Sequence, residues 1–322
     1  MTTRRLTLKT LGAIASLAGY AHVNAQDSLP MRLLVGFAPG GPIDLTARML
    51  ADEFKGSLLR PVLVENKSGA GQRIALRDLR NAVPDGGTIM LATNSPFTVY
   101  PHIYVKLDYD PVKDFTPISG VATFDQGIAT GPMTGAQNLK ELISWINSNK
   151  NRAAYGTPGT GTLPHFLGIA FARSTGLQME PVHYKGGSPP MADLLGGHLP
   201  VLYNGLSDML EMHRAGKIRI LAVASAQRSP LLPDVPTFKE NGVDLTMNVT
   251  AGIFGPPNMP AATLSRMEAV IARARNSDNL RERMMRIGLT PAAMNSAQFT
   301  ATLAEESARM QILVKASGYQ PE

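Results

Sequence analysis

A glycine-rich turn near the start of the chain has the residue types that bind anions. A strand-like run ends at Phe37 and leads into Ala38-Pro39-Gly40-Gly41-Pro42-Ile43-Asp44, and the apolar spacing that follows predicts a helix from Leu45 to about Lys55, capped by Asp44. Glycines let the backbone approach a ligand, and the first N–H groups of a helix lie at the positive end of its dipole. We call residues 38–44 the first seat. A plain strand-to-helix connection is the alternative.

A second turn of the same kind lies at residues 157–162, the second seat. It follows the strand-like Tyr155-Gly156 and precedes a predicted helix from Leu163 to about Thr175, with Thr162 as cap and Gly176 as stop. The hydroxyls of Thr157 and Thr160 can donate to a carboxylate. The spacing is close to that of a phosphate loop, but Thr162-Leu163 stands where Lys and Ser/Thr are required, so a nucleotide site is excluded.

Polar residues at other predicted strand ends complete a ring around these turns. Tyr184 and Lys185 open a third glycine loop, in which Lys185 either meets an anion or is simply solvated. Asn94 and Ser95 follow another strand pattern, and Asn204 ends a further one. The predicted ligand-binding residues are Phe37, Ala38, Gly40, Gly41, Asp44, Asn94, Ser95, Thr157, Thr160, Gly161, Thr162, Tyr184, Lys185 and Asn204.

Residues for catalysis or metal binding are not indicated. The chain has no cysteine, which removes thiolate nucleophiles and Cys-ligated metals together. Its histidines form no i, i+4 pair beside a carboxylate, so no metal is predicted, and a GxSxG nucleophile turn is missing. The sequence predicts no catalytic residue and no cofactor.

Alternating strand and helix patterns predict an α/β fold with parallel sheets, whose strand ends line a cleft. Strand-like segments around 120–130 and 246–255 flank a self-contained α/β unit. We therefore predict one lobe at 26–125 plus 246–322 and another at 126–245, with 261–317 nearly all helical and without a site. The predicted strands are MRLLVGF, PVLVEN, TIMLAT, RAAYGT, EPVHYK, LPVLYN and IRILAVAS.

The first 25 residues have the pattern of an export signal. Arg4, Arg5 and Lys9 precede a short apolar stretch, and small residues end at Ala25, where cleavage is expected by the Sec or the twin-arginine route. Without them the chain has 28 basic and 25 acidic side chains. This weak charge, with no Lys/Arg run, argues against a nucleic-acid partner and suits a small anion.

Eight segments, in order, resemble the Bug family of periplasmic receptors for tripartite tricarboxylate transporters. The resemblance implies a type II periplasmic-binding-protein fold, in which two α/β lobes joined by two strands close on a ligand in the cleft. It also implies that the first and second seats grip a carboxylate, through backbone amides and water, and that a membrane transporter is the partner of a monomeric receptor. The segments are VGFAPGGPIDLTAR, VENKSGAGQRIA, PDGGTIMLAT, YPHIYVKLDYDPVKDFTPIS, YGTPGTGT, HYKGGSPPMADLLGGHLPVLYN, HRAGKIRILAVASAQRSPLLPDVPTFKENG and FTATLAEESARMQILVKASGY.

One departure from the family concerns the ligand. Many relatives carry an Asp where this chain has Asn204, and in amino-acid-binding members that acid meets the ligand's ammonium. We therefore expect a mono- or dicarboxylate, aliphatic or aromatic, without an amino group. Two alternatives to a transport receptor remain open: a periplasmic hydrolase acting on an ester or amide of such an acid, and a receptor that signals to a sensor kinase.

Overall fold

The computed structural model describes residues 29–55, 57–58, 60–184 and 187–320. The predicted export signal and Lys185 lie outside the described residues. No helix within these ranges is both long enough and apolar enough to cross a bilayer.

The described chain forms two sheets. The strands, in chain order, are β1 (Met31–Val35), β2 (Val62–Asn66), β3 (Thr88–Thr93), β4 (Thr116–Phe124), β5 (Gln126–Thr130), β6 (Ala154–Thr157), β7 (Glu180–His183), β8 (Val201–Gly205), β9 (Arg219–Val223), β10 (Val249–Gly255) and β11 (Thr290–Met294). The helices are α1 (Pro42–Phe54), α2 (Arg73–Arg80), α3 (Ser95–Thr98), α4 (Tyr100–Ile103), α5 (Leu139–Ser148), α6 (Leu163–Thr175), α7 (Ser188–Leu195), α8 (Leu206–Arg214), α9 (Ala261–Arg275), α10 (Asp278–Arg286) and α11 (Ser296–Ser317), with 3-10 turns at Ala70–Gln72, Lys150–Arg152 and Lys239–Asn241.

The larger sheet has the order β11-β4-β10-β3-β1-β2, and the smaller has the order β7-β6-β8-β5-β9. In the larger sheet β1 runs parallel to both β2 and β3, with Leu34 between Glu65 and Met90. In the smaller sheet β6 runs parallel to β7 and β8. Since parallel strands end at one edge, the loops after each parallel set gather there. All seven strands predicted from the sequence are confirmed.

Each sheet has its own apolar core, as expected for two lobes. In the larger lobe, α1 buries Ala47, Leu50 and Phe54 completely against β1, because these residues share one helical face. In the smaller lobe, Phe171 of α6 packs with Tyr203 of β8. A further cluster joins the lobes, because α6 packs against α11 through residues such as Phe166 and Met310.

The chain crosses between the sheets twice. Asp125 alone separates β4 of the larger sheet from β5 of the smaller, and residues 224–248 lead from β9 back to β10. The two-lobed α/β prediction is confirmed. The exact lobe boundaries at 125/126 and 245/246 stay predictions.

One element contradicts the sequence-based prediction. Residues 261–317 were expected to be nearly all helical, but β11 separates α10 from α11 and pairs antiparallel with β4 at the edge of the sheet. Its sequence, TPAAM, contains Pro291 and two alanines, which are poor strand formers. Proline is tolerated on an edge strand, and pairing with β4 overrides the local preference of this segment.

Candidate functional site

Three loops of the larger lobe meet at one sheet edge because β1, β2 and β3 all end there. The N–H of Lys67, just after β2, donates to the carbonyl of Val35, the last residue of β1 (2.7 Å). A Cβ built on Gly36 would lie 2.6 Å from Cβ of Gln72, so the loop after β1 touches the loop after β2. This close approach explains the glycine at position 36 and holds the first seat against its neighbour.

The first seat leads into α1 as predicted, but the helix begins earlier and Asp44 is not its cap. Gly41 is the N-cap residue, and it makes no side-chain capping bond. Asp44 lies within the first turn, only 1% exposed, where its carboxylate accepts the Gly40 N–H (2.8 Å) and a bond from Asn66 Nδ2 (2.8 Å), and pairs with Arg48 (3.0 Å). The acid therefore braces the loop rather than capping the helix.

The ionisation of Asp44 follows from these contacts. Burial alone would raise its pKa, but the hydrogen bonds from Arg48, Gly40 and Asn66 hold the pKa below its ordinary value. The Arg48 guanidinium balances the negative charge beside the helix start. Residues 37–40 next to it are exposed, including the Phe37 ring at 36%.

The second loop of this edge, Gly69–Gln72, was not among the predicted site residues. All four residues have positive φ: 130° at Gly69, 45° at Ala70, 60° at Gly71 and 75° at Gln72. For Ala70 and Gln72 this left-handed backbone costs about 1–2 kcal/mol each. The Gln72 side chain offsets part of that cost by bonding the Thr93 hydroxyl (2.6 Å) and N–H (3.1 Å). The sequence signal was KSGAGQ, a glycine turn that precedes α2.

The second seat follows β6 and opens α6. Thr162 is the N-cap residue as predicted, but its hydroxyl donates to the Gly159 carbonyl (2.7 Å) instead of capping the helix. The buried Thr157 hydroxyl contacts the same carbonyl (3.3 Å) and His183 Nδ1 (3.1 Å). Thr160 is exposed at the tip of the loop. Gly176 ends α6 in the left-handed conformation, as predicted.

Two histidines support the second seat from below. His165 Nδ1 accepts the Gly161 N–H (3.2 Å), and the His165 and His183 rings meet edge to face with centroids 4.4 Å apart. Burial, and to a smaller extent His183, lowers the pKa of His165 to about 4, and burial lowers the pKa of His183. A neutral His165 keeps the lone pair that fixes Gly161.

Asn204 lies at the end of β8, only 2% exposed, with an acid beside it that the sequence reading missed. Its Oδ1 accepts the Gly205 N–H (2.9 Å), and its Nδ2 donates to the Gly187 carbonyl (3.4 Å). The carboxylate of Asp208, in the first turn of α8, lies against Gly187 and receives a hydrogen bond from Asn204. Desolvation by the groups packed around it raises the pKa of Asp208, although part of this residue is accessible to solvent.

Two of the remaining predicted residues, Tyr184 and Asn94, have side-chain partners of their own. Tyr184 donates its hydroxyl to Asp193 Oδ2 (2.5 Å), and burial together with this bond raises the pKa of Tyr184 to about 12. Asn94 Nδ2 donates to Glu306 Oε2 (2.7 Å) on α11, the segment expected to hold no site residue. Ser95 is the first residue of α3.

The two sheet edges lie against each other. A Cβ on Gly161 of the second seat would lie 3.0 Å from Ile103 Cδ1 in the larger lobe, and one on Gly288 would lie 2.9 Å from Ser207 Cα in the smaller. Across 29–55, 57–58, 60–184 and 187–320, no group of three or more His, Asp or Glu side chains is arranged to hold a metal. The structure is therefore a two-lobed α/β fold in which the loops at the two sheet edges face one another.

The comparisons identify the family. Residues 46–319 match the model of the tripartite tricarboxylate transporter family receptor, and the chain belongs to this family. A UPF0065 protein of Bordetella pertussis is 31% identical, over 98% of each chain. The periplasmic binding protein BugD superposes with a TM-score of 0.76 and 28% identity, covering 91% of this chain and 99% of that one. An R. palustris protein solved with adipate superposes with a TM-score of 0.80 and 26% identity, over 91% and 98%.

Proposed function

We propose that this chain is a periplasmic receptor that captures a small organic carboxylate and passes it to the membrane components of a tripartite tricarboxylate-type transporter. The main observation behind this proposal is a pair of glycine turns, one in each lobe. Each turn leads into the start of a helix, and the two sheet edges that bear these turns contact each other. Family membership and the relative solved with adipate support a carboxylate ligand. The export signal expected over residues 1–25 supports the periplasmic location.

The charge of the ligand is taken up by main-chain groups. The first turn of α1 contains Pro42 and that of α6 contains Pro164, so each helix start lacks one N–H. The remaining first-turn N–H groups have no partner within their helices, and both helix dipoles favour an anion there. Asp44 and Asn94 have their own side-chain partners and act by shaping the loops. The proposed contacts are Phe37, Ala38, Gly40, Gly41, Ser95, Thr157, Thr160, Gly161, Thr162, Tyr184, Asn204 and, outside the described residues, Lys185.

The proposed ligand is a mono- or dicarboxylate, aliphatic or aromatic, without an amino group. Asn204 is neutral, and its amide already bonds to Gly187 and to Asp208. One observation favours a second candidate, an amino acid, because the accessible Asp208 carboxylate offers an acceptor for an ammonium group. Against that candidate, burial raises the pKa of Asp208, and its carboxylate already accepts a hydrogen bond from Asn204.

Thermal unfolding of residues 26–322 separates these ligands. A ligand that binds only the folded state stabilises it by about 2.7 kcal/mol at 100 times its Kd. We expect stabilisation by carboxylates such as adipate, succinate or benzoate, and none by their methyl esters or by glutamate and aspartate. Stabilisation by the amino acids, lost in Asp208→Asn, would establish the second candidate. If no acid in the panel shifts the melting temperature, the carboxylate proposal fails.

A matched variant tests the role of Asn204. Asn204→Asp adds an acid next to Asp208, so we expect carboxylate affinity to fall about tenfold, because one additional like charge at this range costs roughly 1–2 kcal/mol. Asp208→Asn removes the existing charge and is expected to preserve or improve carboxylate binding. Unchanged affinity in both variants would place the ligand away from the end of β8.

Hydrolase and signalling activities have separate tests. Esters and amides of any stabilising acid are incubated with the protein, and recovery of the intact compound is measured by chromatography. Release of the acid at a rate above that of buffer would replace the receptor proposal with a hydrolase. Co-purification with a sensor kinase rather than transporter subunits, in the presence of ligand, would instead identify the signalling role.

A further inference from the structure

A cavity lined by basic residues lies in the smaller lobe, at the end of the sheet opposite to the candidate site. Gln126, at the start of β5, pairs with Gly205 at the end of β8, beside Asn204. Thr130, at the end of β5, pairs instead with Val201, where β8 begins. Four residues of extended strand, roughly 13 Å, separate these two ends. The cavity next to Thr130 is therefore distinct from the two seats, and we call it the distal cavity.

The lining of the distal cavity is positively charged. The cavity has a volume of about 430 Å³, and its basic residues are His213, Lys217 and Arg219. No Asp or Glu of the described chain is part of the lining. Neither Lys217 nor Arg219 has an acidic side chain within 4 Å among the residues that the structure describes. Two positive charges therefore border the cavity without a counter-ion from these residues.

His213 adds a hydrogen-bond donor whose position on the ring is fixed. Its Nδ1 accepts the N–H of Ile220 (3.1 Å), so the neutral ring carries its proton on Nε2. Within the described ranges, no residue accepts a hydrogen bond from Nε2. The cavity thus combines two cations with one N–H donor, which is the equipment for binding an anion.

The charged groups that act on His213 are all positive. Burial lowers the pKa of His213, and Arg219 and Arg214 lower it further, with no acid among the causes. Since such an effect weakens with distance, the Arg219 guanidinium lies close to the ring. An anion in the distal cavity would relieve this repulsion.

The negative end of α8, which borders the cavity, is capped by the loop that follows it. The last carbonyls of a helix carry a partial negative charge that disfavours anions. Here the Met212 carbonyl accepts the N–H groups of Lys217 (3.0 Å) and Ile218 (3.4 Å). The His213 carbonyl accepts the N–H of Gly216 (2.9 Å). These carbonyls are therefore satisfied by the chain itself.

We propose that the distal cavity binds a phosphate group through Arg219, Lys217 and Nε2 of His213. The two side-chain cations match the charge of nearly two that a phosphate monoester carries near neutral pH. A guanidinium also binds phosphate oxygens in pairs, which favours phosphate over a spherical anion. The cavity is large enough for a phosphate that carries an organic group. The proposal does not depend on the identity of the carboxylate ligand.

Nuclear magnetic resonance of the histidine side chains tests the proposal, because it reports on the distal cavity separately from the cleft. Residues 26–322 are prepared with isotope-labelled histidine, and the His213 signals are assigned by their loss in His213→Gln. Inorganic phosphate or glycerol phosphate then replaces chloride at pH 7 and constant ionic strength. We expect a saturable shift of the His213 signals with a Kd of about 1 mM or tighter.

Vesicles identify the source of the phosphate group. Phosphatidylglycerol offers it as an anionic lipid headgroup, and phosphatidylcholine, which has no net charge, is the control. Loss of the His213 signals with phosphatidylglycerol alone, reversed by inorganic phosphate, would support the site with a lipid as its ligand. A saturable shift with the soluble phosphates alone would support it with a soluble ligand. If neither source changes the His213 signals in a saturable way, the proposal is overturned.

Charge-removing variants locate the effect. Arg219→Gln and Lys217→Gln each remove one cation from the lining, so each should weaken phosphate binding at least about tenfold. Arg214→Gln is the matched control, because Arg214 also acts on His213 but pairs with Glu211 (3.1 Å) and is not part of the lining. Its phosphate affinity should stay within about threefold of wild type. Full affinity in Arg219→Gln and Lys217→Gln, or an equal loss in Arg214→Gln, would overturn the site.

Discussion

Replacing Asp44 by alanine tests how the first seat is held in shape. The change removes acceptors from the Gly40 N–H and from Asn66 Nδ2, and it removes the ion pair with Arg48. A hydrogen bond to a charged group contributes about 1.5–3 kcal/mol, and an exposed ion pair contributes at most about 1 kcal/mol. Arg48 is half exposed and Gly40 lies at the surface, so the lower values apply. We expect a loss of about 2–4 kcal/mol.

Urea unfolding at pH 7 measures this loss, with Asp52→Asn as the control. Asp52 has exposed ion pairs with Lys55 and Arg283, and removing both should cost about 1 kcal/mol or less. Because the folded-state pKa of Asp44 is lowered, its stabilisation is complete above the unfolded pKa and disappears as the pH falls through the folded value. The difference between wild type and Asp44→Ala should therefore shrink below about pH 4. A cost no larger than that of the control would refute the bracing role.

Two further predictions concern the smaller lobe. The pKa of His165 is lowered to about 4 in the folded protein, so between pH 6.5 and 4 the unfolded chain binds more protons than the folded one. The free energy of unfolding should therefore decrease by up to roughly 3 kcal/mol as the pH falls through this window. His165→Phe should flatten this part of the stability profile measured with urea, and an unchanged slope would contradict the lowered pKa. Gly168→Ala places a Cβ 2.3 Å from the buried Tyr155 ring and should lower the stability measured by urea by about 1–3 kcal/mol, whereas a neutral effect would show that the ring can move aside.

The elements that depend on local pattern were predictable from the sequence. The fully buried β3 is a continuous apolar run, and α6 is flanked by the expected Thr162 and Gly176. The segment β11 was missed because its residues have weak strand preference and its structure depends on pairing with β4. Long-range pairing of this kind leaves little trace in the residues of the segment itself.

Within the candidate site, the sequence predicts which polar groups are present but not which hydrogen-bond partners they have. Asp is a residue type that commonly caps helices, so Asp44 was predicted as a cap. In the structure its carboxylate instead accepts hydrogen bonds from Arg48 and Asn66 and holds the loop in shape. The sequence predicts no acid at the end of β8, because Asn204 replaces the usual Asp. The turn into α8 nevertheless places the Asp208 carboxylate within hydrogen-bond distance of Asn204. Spacing alone does not reveal such contacts, because they depend on the angle between a strand and the helix that follows it.

The two seats hold their turns by different electrostatic means, and this difference bears on how an anion is attracted. In the first seat an ionised acid takes the Gly40 N–H, and Arg48 balances its charge. In the second seat a histidine, neutral above about pH 4, takes the Gly161 N–H. Neither brace leaves a net charge at its seat, so the attraction of an anion depends on helix dipoles that act only within the first turn. We therefore expect the proposed ligand to be selected by contacts at the two seats, since the braces themselves supply no long-range attraction.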